Sequence, residues 1–285
     1  MSTEKVYYQD RVVDASQAHV PANNPAFLHG VGLFETLRTY AGKPFRLQRH
    51  LERMDASSRK LDVNIAAVLD RIPEAITAVC QANDLADARV RVTVTPPPVD
   101  ADQPLLLVTA VAIAGYPPEL YERGMTVLLC TDYRQSDKDP LAGHKTTSYL
   151  PRLLALRTAQ QRDCGESIWF TPDNRLTEGC ISNIFVVKKG TLTTPPLDAP
   201  VLPGVTREAV IELAKTNQIL INGTVGTVDD LLDADEVFLT NSIMEVMPVT
   251  RIERKPIANE RPGEITGQLM NAYRKLVRNE ISDCP

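Results

Sequence analysis

Lys145 has the setting of a reactive amine. It lies in Pro140–Leu150, PLAGHKTTSYL, where a proline and a glycine break the backbone just ahead of it. Behind it, Tyr149–Gln161 has helical spacing, with Leu150, Leu153, Leu154 and Arg157 on the face predicted to be buried. A lysine held where a loop meets a helix can be partly desolvated, which lowers its pKa and makes it a nucleophile. Taken alone, it reads first as a solvated surface lysine, since lysines are rarely fully buried, and only the rest of the chain overturns that.

Five other stretches carry groups of matching chemistry. In Leu176–Phe185, LTEGCISNIF, the acid Glu178 precedes a glycine between two predicted strands, and Asn183 reads as a turn former. In Leu202–Arg207, LPGVTR, a Pro-Gly loop runs into a helix that begins at a threonine, a place where N–H groups and the helix dipole favour an anion. Thr240–Ser242, TNS, adds small polar donors after a strand, or a simple Asx turn. Arg53 sits on a predicted helix, Arg49–Leu61, and its forked guanidinium suits phosphate. Arg89 and Arg91 share one face of the alternating strand Ala88–Thr95, where they either hold carboxylates or line a wet face. A lysine for a Schiff base, an acid for a ring nitrogen, and an arginine with two polar loops for a phosphate make up the set that pyridoxal phosphate requires.

The elements that must position these groups follow from periodicity. Val6–Tyr8 and Arg11–Val13 are predicted strands, and Phe27–Tyr40 with Pro44–Leu47 reads as a hairpin. Arg49–Leu61 and Ala67–Asn83 are predicted amphipathic helices, and Leu105–Ile113 is an apolar strand. Pro96–Pro104 is a proline-rich loop. Two prolines and two glycines make Gly115–Gly124 the expected linker. Beyond it come strands at Met125–Cys130, Glu166–Phe170, Ile184–Val187 and Glu236–Thr240, and helices at Thr206–Asn217 and Gly263–Ser282. The expected organisation is an α+β chain: an N-terminal α/β domain over 1–114, a linker over 115–124 and a larger sheet-rich domain with outer helices over 125–285.

Composition narrows the function classes. The chain has 285 residues, 43% of them hydrophobic and 24% charged, enough for two ordinary domains. A formal charge of −5 gives no reason to expect nucleic acid or an acidic membrane as partner. The polar start, MSTEKVYYQDR, shows no secretory signal, and no apolar run has the roughly 18 residues that span a bilayer. The five cysteines (Cys80, Cys130, Cys164, Cys180, Cys284) form no C-x-x-C pair, and the four histidines are widely spaced. No metal site is expected, and a reducing cytoplasm fits.

The stretches GVGLFETLR, HLERM, GHKTTSYL, LTEGCISNIF, LPGVTREAV and FLTNSIMEVMPV follow one another in an order that resembles the class IV aminotransferases, the fold-type IV pyridoxal-phosphate enzymes. The resemblance runs from about Val6 to Val277. It implies a two-domain α+β fold, bound pyridoxal 5'-phosphate and a homodimer with its active sites at the subunit interface. Lys145 would then form the cofactor's aldimine and later move the substrate's α-proton. Glu178 would bond the pyridine nitrogen, and Arg53 the phosphate. Val205 and Thr206 match the phosphate loop, Ser242 with Asn241 beside it the second phosphate contact, and Tyr149 the partner of the phenolic oxygen. Arg91, His29 and Ile243 fall at substrate positions, with His29 near the other subunit's cofactor. Two departures stand out: His29 replaces a common aromatic, and Thr95-Pro96-Pro97 replaces the usual T-R-G.

The resemblance leaves two reactions open. An aminotransferase moves an amino group between a branched-chain-like or D-amino acid and a 2-keto acid. An aminodeoxychorismate lyase eliminates pyruvate and releases 4-aminobenzoate. FETLR, EGCISNIF and FLTNS resemble the lyase branch at least as well, while HKTTSYL and Arg91 suit an amino donor. A third reading, a non-catalytic binder of the cofactor, conflicts with the intact set Lys145, Glu178 and Arg53, because a binder needs no lysine.

Overall fold

A computed structural model describes residues 4–98, 101–223 and 226–282. Part of the expected loop Pro96–Pro104, and Cys284, lie outside the described residues. The chain divides into two units. One takes in the chain up to Ala114, the segment His144–Tyr149 and the residues from Glu280 on; the other holds Gly115–Gly143 and Leu150–Asn279. Lys145, expected within the C-terminal domain, is therefore grouped with the N-terminal unit. Gly115–Gly124, expected as linker, is grouped with the second unit and contains a short helix.

The first unit is built from strict alternation. Its elements are β1 (Lys5–Tyr8), β2 (Arg11–Asp14), α1 (Pro25–His29), β3 (Leu33–Tyr40), β4 (Lys43–Pro44), α2 (Leu47–Lys60), α3 (Ala66–Leu69), α4 (Ile72–Ala82), β5 (Ala88–Thr95) and β6 (Leu105–Ala112). The sheet runs β2-β1-β6-β5-β3-β4, every pair antiparallel. Along β5, Val90, Val92 and Val94 are buried while Arg89 and Arg91 face away. The buried valines meet Leu33, Leu37, Leu106 and Val108 of the sheet, Met54 of α2, and Ile72, Ile76 and Val79 of α4. Burying each such side chain contributes about 2 kcal/mol.

The second unit holds α5 (Pro118–Arg123), β7 (Met125–Leu129), α6 (Leu150–Gln160), β8 (Glu166–Phe170), β9 (Leu176–Gly179), β10 (Asn183–Lys188), β11 (Thr191–Thr193), α7 (Val205–Thr216), β12 (Leu220–Asn222), α8 (Val228–Leu232), β13 (Glu236–Asn241), β14 (Glu245–Ile252), β15 (Lys255–Pro256) and α9 (Glu264–Ser282) as far as Asn279. Its sheet runs β12-β11-β10-β13-β14-β7-β8-β9, with β15 on β14. The α+β expectation holds in both units.

Four local expectations change. Phe27–Tyr40 is not one strand: Pro25 at the first turn and the Asn24 cap start α1, and Gly30, at φ +71°, ends it. Ala67–Asn83 is two helices, because Pro73 lacks an N–H and its ring crowds the carbonyl four residues back. On α6 the leucines expected to be buried are exposed, Leu150 by 64% and Leu153 by 48%. Ala155 and Ala159 are its buried residues instead, since small side chains let the helix lie close to the sheet. The strand β14 follows the TNS turn where only a polar break was expected, and Pro248 sits within it.

Candidate active site

In the first unit, the segment around Lys145 is held against β3 by its backbone. The Phe34 N–H donates to the Lys145 carbonyl at 2.9 Å, and the Thr147 N–H to the Gly32 carbonyl at 2.9 Å. The Thr147 and Ser148 hydroxyls donate to the Gly30 carbonyl at 2.6 and 3.1 Å. This close approach requires two glycines. A Cβ on Gly30 would lie 2.7 Å from Ser148 Oγ, and one on Gly32 would lie 3.0 Å from Thr147 Oγ1. His144 Nδ1 meets Ser57 Oγ of α2 at 2.9 Å, tying the residue before the lysine to a helix. Lys145 Nζ sits 4.7 Å from the Phe34 ring centre and 5.8 Å from that of Tyr149. Those two rings meet edge to face at 5.2 Å. The amine therefore lies near two aromatic rings.

Arg53 does not project into solvent from its helix. Its side chain is 8% exposed, and it forks onto Glu35 of β3: Nε donates to Oε1 at 2.8 Å and Nη2 to Oε2 at 2.5 Å. His50, three residues earlier on the same face of α2, donates from Nδ1 to Glu35 Oε2 at 2.8 Å. Burial pushes the Glu35 carboxyl up, but Arg53 and His50 outweigh it and hold it at about 2. Burial pulls His50 below the usual histidine range, against the pull of Glu35. Glu35 and His50 were missed as site residues. The available signal was a charged residue at the buried parity of a strand, between Leu33 and Leu37.

Arg91 lies opposite Thr36 on β3, and its guanidinium sits 3.7 Å from the Phe34 ring centre. Its Nε donates to Thr93 Oγ1 at 3.3 Å, and burial lowers its pKa. Phe34 thus touches Arg91, Lys145 and Tyr149. His29 is an exposed residue at the end of α1.

In the second unit, Glu178 is not in a turn. It lies within β9, 2% exposed. Arg152 Nη2 donates to its Oε1 at 2.6 Å and Gln135 Nε2 to the same oxygen at 3.4 Å. Its Oε2 accepts from the Leu202 N–H at 2.9 Å and from Asn183 Nδ2 at 3.4 Å. Asn183 also donates to the Leu202 carbonyl at 2.8 Å. These bonds join Glu178 to the loop leading into α7. That helix begins at Val205 and Thr206, both buried, and its N-cap, Gly204, makes no side-chain cap hydrogen bond. Asn183 faces Thr240 across the ladder. Asn241 Nδ2 donates to the Ile181 carbonyl, while its Oδ1 accepts from the N–H groups of Ile243 and Met244 at 2.8 Å, an Asx turn through Ser242. Arg152 and Gln135 were also missed; both are far from Glu178 in sequence and had no pattern to mark them.

The six sequence stretches thus fall into two sets of three. GVGLFETLR, HLERM and GHKTTSYL are joined in the first unit; LTEGCISNIF, LPGVTREAV and FLTNSIMEVMPV are joined in the second. Among the described residues no group of three or more His, Cys, Asp or Glu could hold a metal ion, and no helix is long and apolar enough to cross a membrane.

Residues 32–252 match the family Amino-transferase class IV, and the chain belongs to it. It is 31% identical to a putative branched-chain-amino-acid aminotransferase of Methanocaldococcus jannaschii, over 95% of this chain and 96% of that protein. It is 30% identical to the aminodeoxychorismate lyase of Bacillus subtilis, over 98% of this chain and 96% of that one. Among solved structures, the branched-chain amino acid aminotransferase of Escherichia coli superposes with a TM-score of 0.90 at 26% identity, covering 96% of this chain and 95% of that chain.

Proposed function

We propose that this protein is a pyridoxal-phosphate-dependent transaminase that moves an amino group between an amino acid and a 2-keto acid. The observation that carries this reading is the setting of Lys145, an amine held by backbone bonds against the Phe34 and Tyr149 rings. The donor set fits the cofactor. Glu178 is a buried carboxylate of the right charge for a protonated ring nitrogen, and the N-cap of α7, Gly204, makes no side-chain cap hydrogen bond that a phosphate would have to displace.

When bound, the cofactor supplies an electron sink for the bond breaking at the substrate's α-carbon. The chain's own residues do the rest. Lys145 would hold the cofactor through its Nζ and act as the base for the α-proton. Glu178 would bond the ring nitrogen. Arg53, which Glu35 holds, would serve the phosphate, as would the Val205–Thr206 turn with Ser242 and Asn241. Tyr149 would serve the phenolic oxygen. Arg91, Ile243 and His29 orient the substrate, Arg91 by its charge. The chain works in the cytoplasm as a homodimer with His29 near the partner's site. The apolar residues Phe27 and Leu28 on α1, and Leu150 and Leu153 on α6, are exposed as such an interface requires.

Purified protein with the cofactor is expected to show a visible absorption band that Lys145→Ala abolishes. Absence of that band in the wild type refutes the reading. Amino transfer from an amino acid to 2-oxoglutarate tests the reaction itself. Light scattering tests the dimer.

A second reading, aminodeoxychorismate lyase, is favoured by one observation: the lyase relative matches the chain over 98% of its length at nearly the identity of the aminotransferase relative. Pyruvate released from aminodeoxychorismate with no keto acid present would select it.

A further inference from the structure

The support of Glu178 is unusual in what it does to charge. Arg152 is the third residue of α6 and seven residues beyond Lys145. It is 19% exposed and pairs with Glu178 Oε1 at 2.6 Å. It is also pinned independently of Glu178. Its Nη1 donates to the carbonyls of Gly179 and Cys180 at 3.1 and 3.2 Å, and its guanidinium lies 5.4 Å from the Trp169 ring centre. The guanidinium is therefore fixed beside the carboxylate whether or not anything else binds there. Trp169 is held in turn, its Nε1 donating to Cys180 Sγ at 3.2 Å.

A buried carboxylate with no cation is costly, and the other donors to Glu178 are neutral: a backbone N–H and two side-chain amides. Arg152 is the cation that balances it among its hydrogen-bonded partners. A protonated ring nitrogen would be a second cation on the same anion. Two cations drawing on one carboxylate compete, so each weakens the hold of the other.

We propose that Arg152 is a positioning residue that shares the charge of Glu178 with the cofactor's ring nitrogen, so that the site stays balanced without cofactor and holds it less tightly than Glu178 alone would. This rests on the reading that Glu178 bonds that nitrogen. Its consequence runs against intuition: removing a side chain that supports the site makes the cofactor bind more tightly. The free protein loses the one cation hydrogen-bonded to Glu178 among the described residues, leaving only the longer-range charge of Arg207, while in the loaded protein the ring nitrogen would take that place.

The test compares wild type, Arg152→Met, Arg152→Lys, Glu178→Gln and the Arg152→Met/Glu178→Gln double variant. Each is measured with and without pyridoxal phosphate, by melting temperature and by titration of the visible band. Arg152→Met is expected to lower the melting temperature of the cofactor-free protein more than that of the loaded protein, and to lower the dissociation constant about tenfold. Arg152→Lys keeps a cation and is expected to stay near the wild type. In the double variant the gain on loading is expected to fall to that of Glu178→Gln alone.

Equal drops in the free and loaded protein would mean that Arg152 merely ties the Gly179 and Cys180 carbonyls, and would overturn the proposal while leaving the role of Glu178 intact. If Glu178→Gln changes neither affinity nor the gain on loading, the reading of Glu178 fails and the proposal falls with it. If Arg152→Met does not fold, Arg152→Lys decides: a dissociation constant near wild type supports the charge role. A large change despite the kept cation overturns it.

Discussion

The two units each bury an arginine–carboxylate pair, and the pairs are mirror images in purpose. In the first unit Glu35 holds Arg53, the group we propose for the phosphate. In the second unit Arg152 holds Glu178, the carboxylate we propose for the ring nitrogen. The Glu35 pair is nearly sealed, at 2% and 8% exposure, with His50 as a third member. The Glu178 pair is looser: Arg152 is 19% exposed, and neutral donors share the load. Glu166 gives the contrast to both. It is fully buried and accepts from the N–H groups of Ser167, Cys180 and Ile181 and from the Ser182 hydroxyl, with no cation among these partners. Burial raises its pKa in spite of those four donors, whereas Arg53 and His50 bring Glu35 down to about 2. A full positive charge outweighs desolvation where neutral dipoles do not.

The sharpest break of this comparison is Glu35→Gln. It strands the Arg53 guanidinium in the core and is expected to cost about 3 kcal/mol, by equilibrium denaturation at neutral pH. A loss under about 1 kcal/mol would mean the pair does not hold the cluster. The pH dependence follows from the depressed carboxyl. Its contribution is fully present above the unfolded carboxylate pKa, near 4.5, and is lost as pH falls towards about 2. The stability gap between wild type and Glu35→Gln should therefore close across that window, by about 3 kcal/mol.

Arg152→Met in the cofactor-free protein comes next, at about 2 kcal/mol, because neutral donors still serve Glu178. Glu166→Gln is expected to cost about 1–2 kcal/mol. Its pH trend should be opposite in sign to that of Glu35. A raised carboxyl stabilises most when protonated, so the cost should be largest in acid and shrink as pH rises through the folded value. The same trend at both sites would end the distinction. Ser57→Ala is the smallest change, about 1 kcal/mol for the lost contact with His144, with the visible band of the loaded protein retained.

The candidate site was legible in the sequence only as a set. A lysine after Pro-x-x-Gly, an acid before a glycine and a Pro-Gly loop at a helix start are each weak alone and together name one cofactor. Periodicity also carried β5 and α2, whose alternating or helical apolar residues face one core. It failed on α6, where the leucines point outward and two alanines inward. Apolar spacing tells which side chains share a face, not what that face meets. It failed again at Glu178, placed in a turn because a glycine follows, although the strand β9 continues through Gly179.

The sequence by itself determined the family and the α+β class, and it named the groups proposed for the cofactor, since those rest on residue type and short-range order. Only the tertiary structure decided what holds them. Glu35 reaches Arg53 from 18 positions away, and Arg152 reaches Glu178 from 26. The physical reason is that a buried charge must find its partner in space. Local spacing does not encode a contact that depends on where strands and helices come to rest.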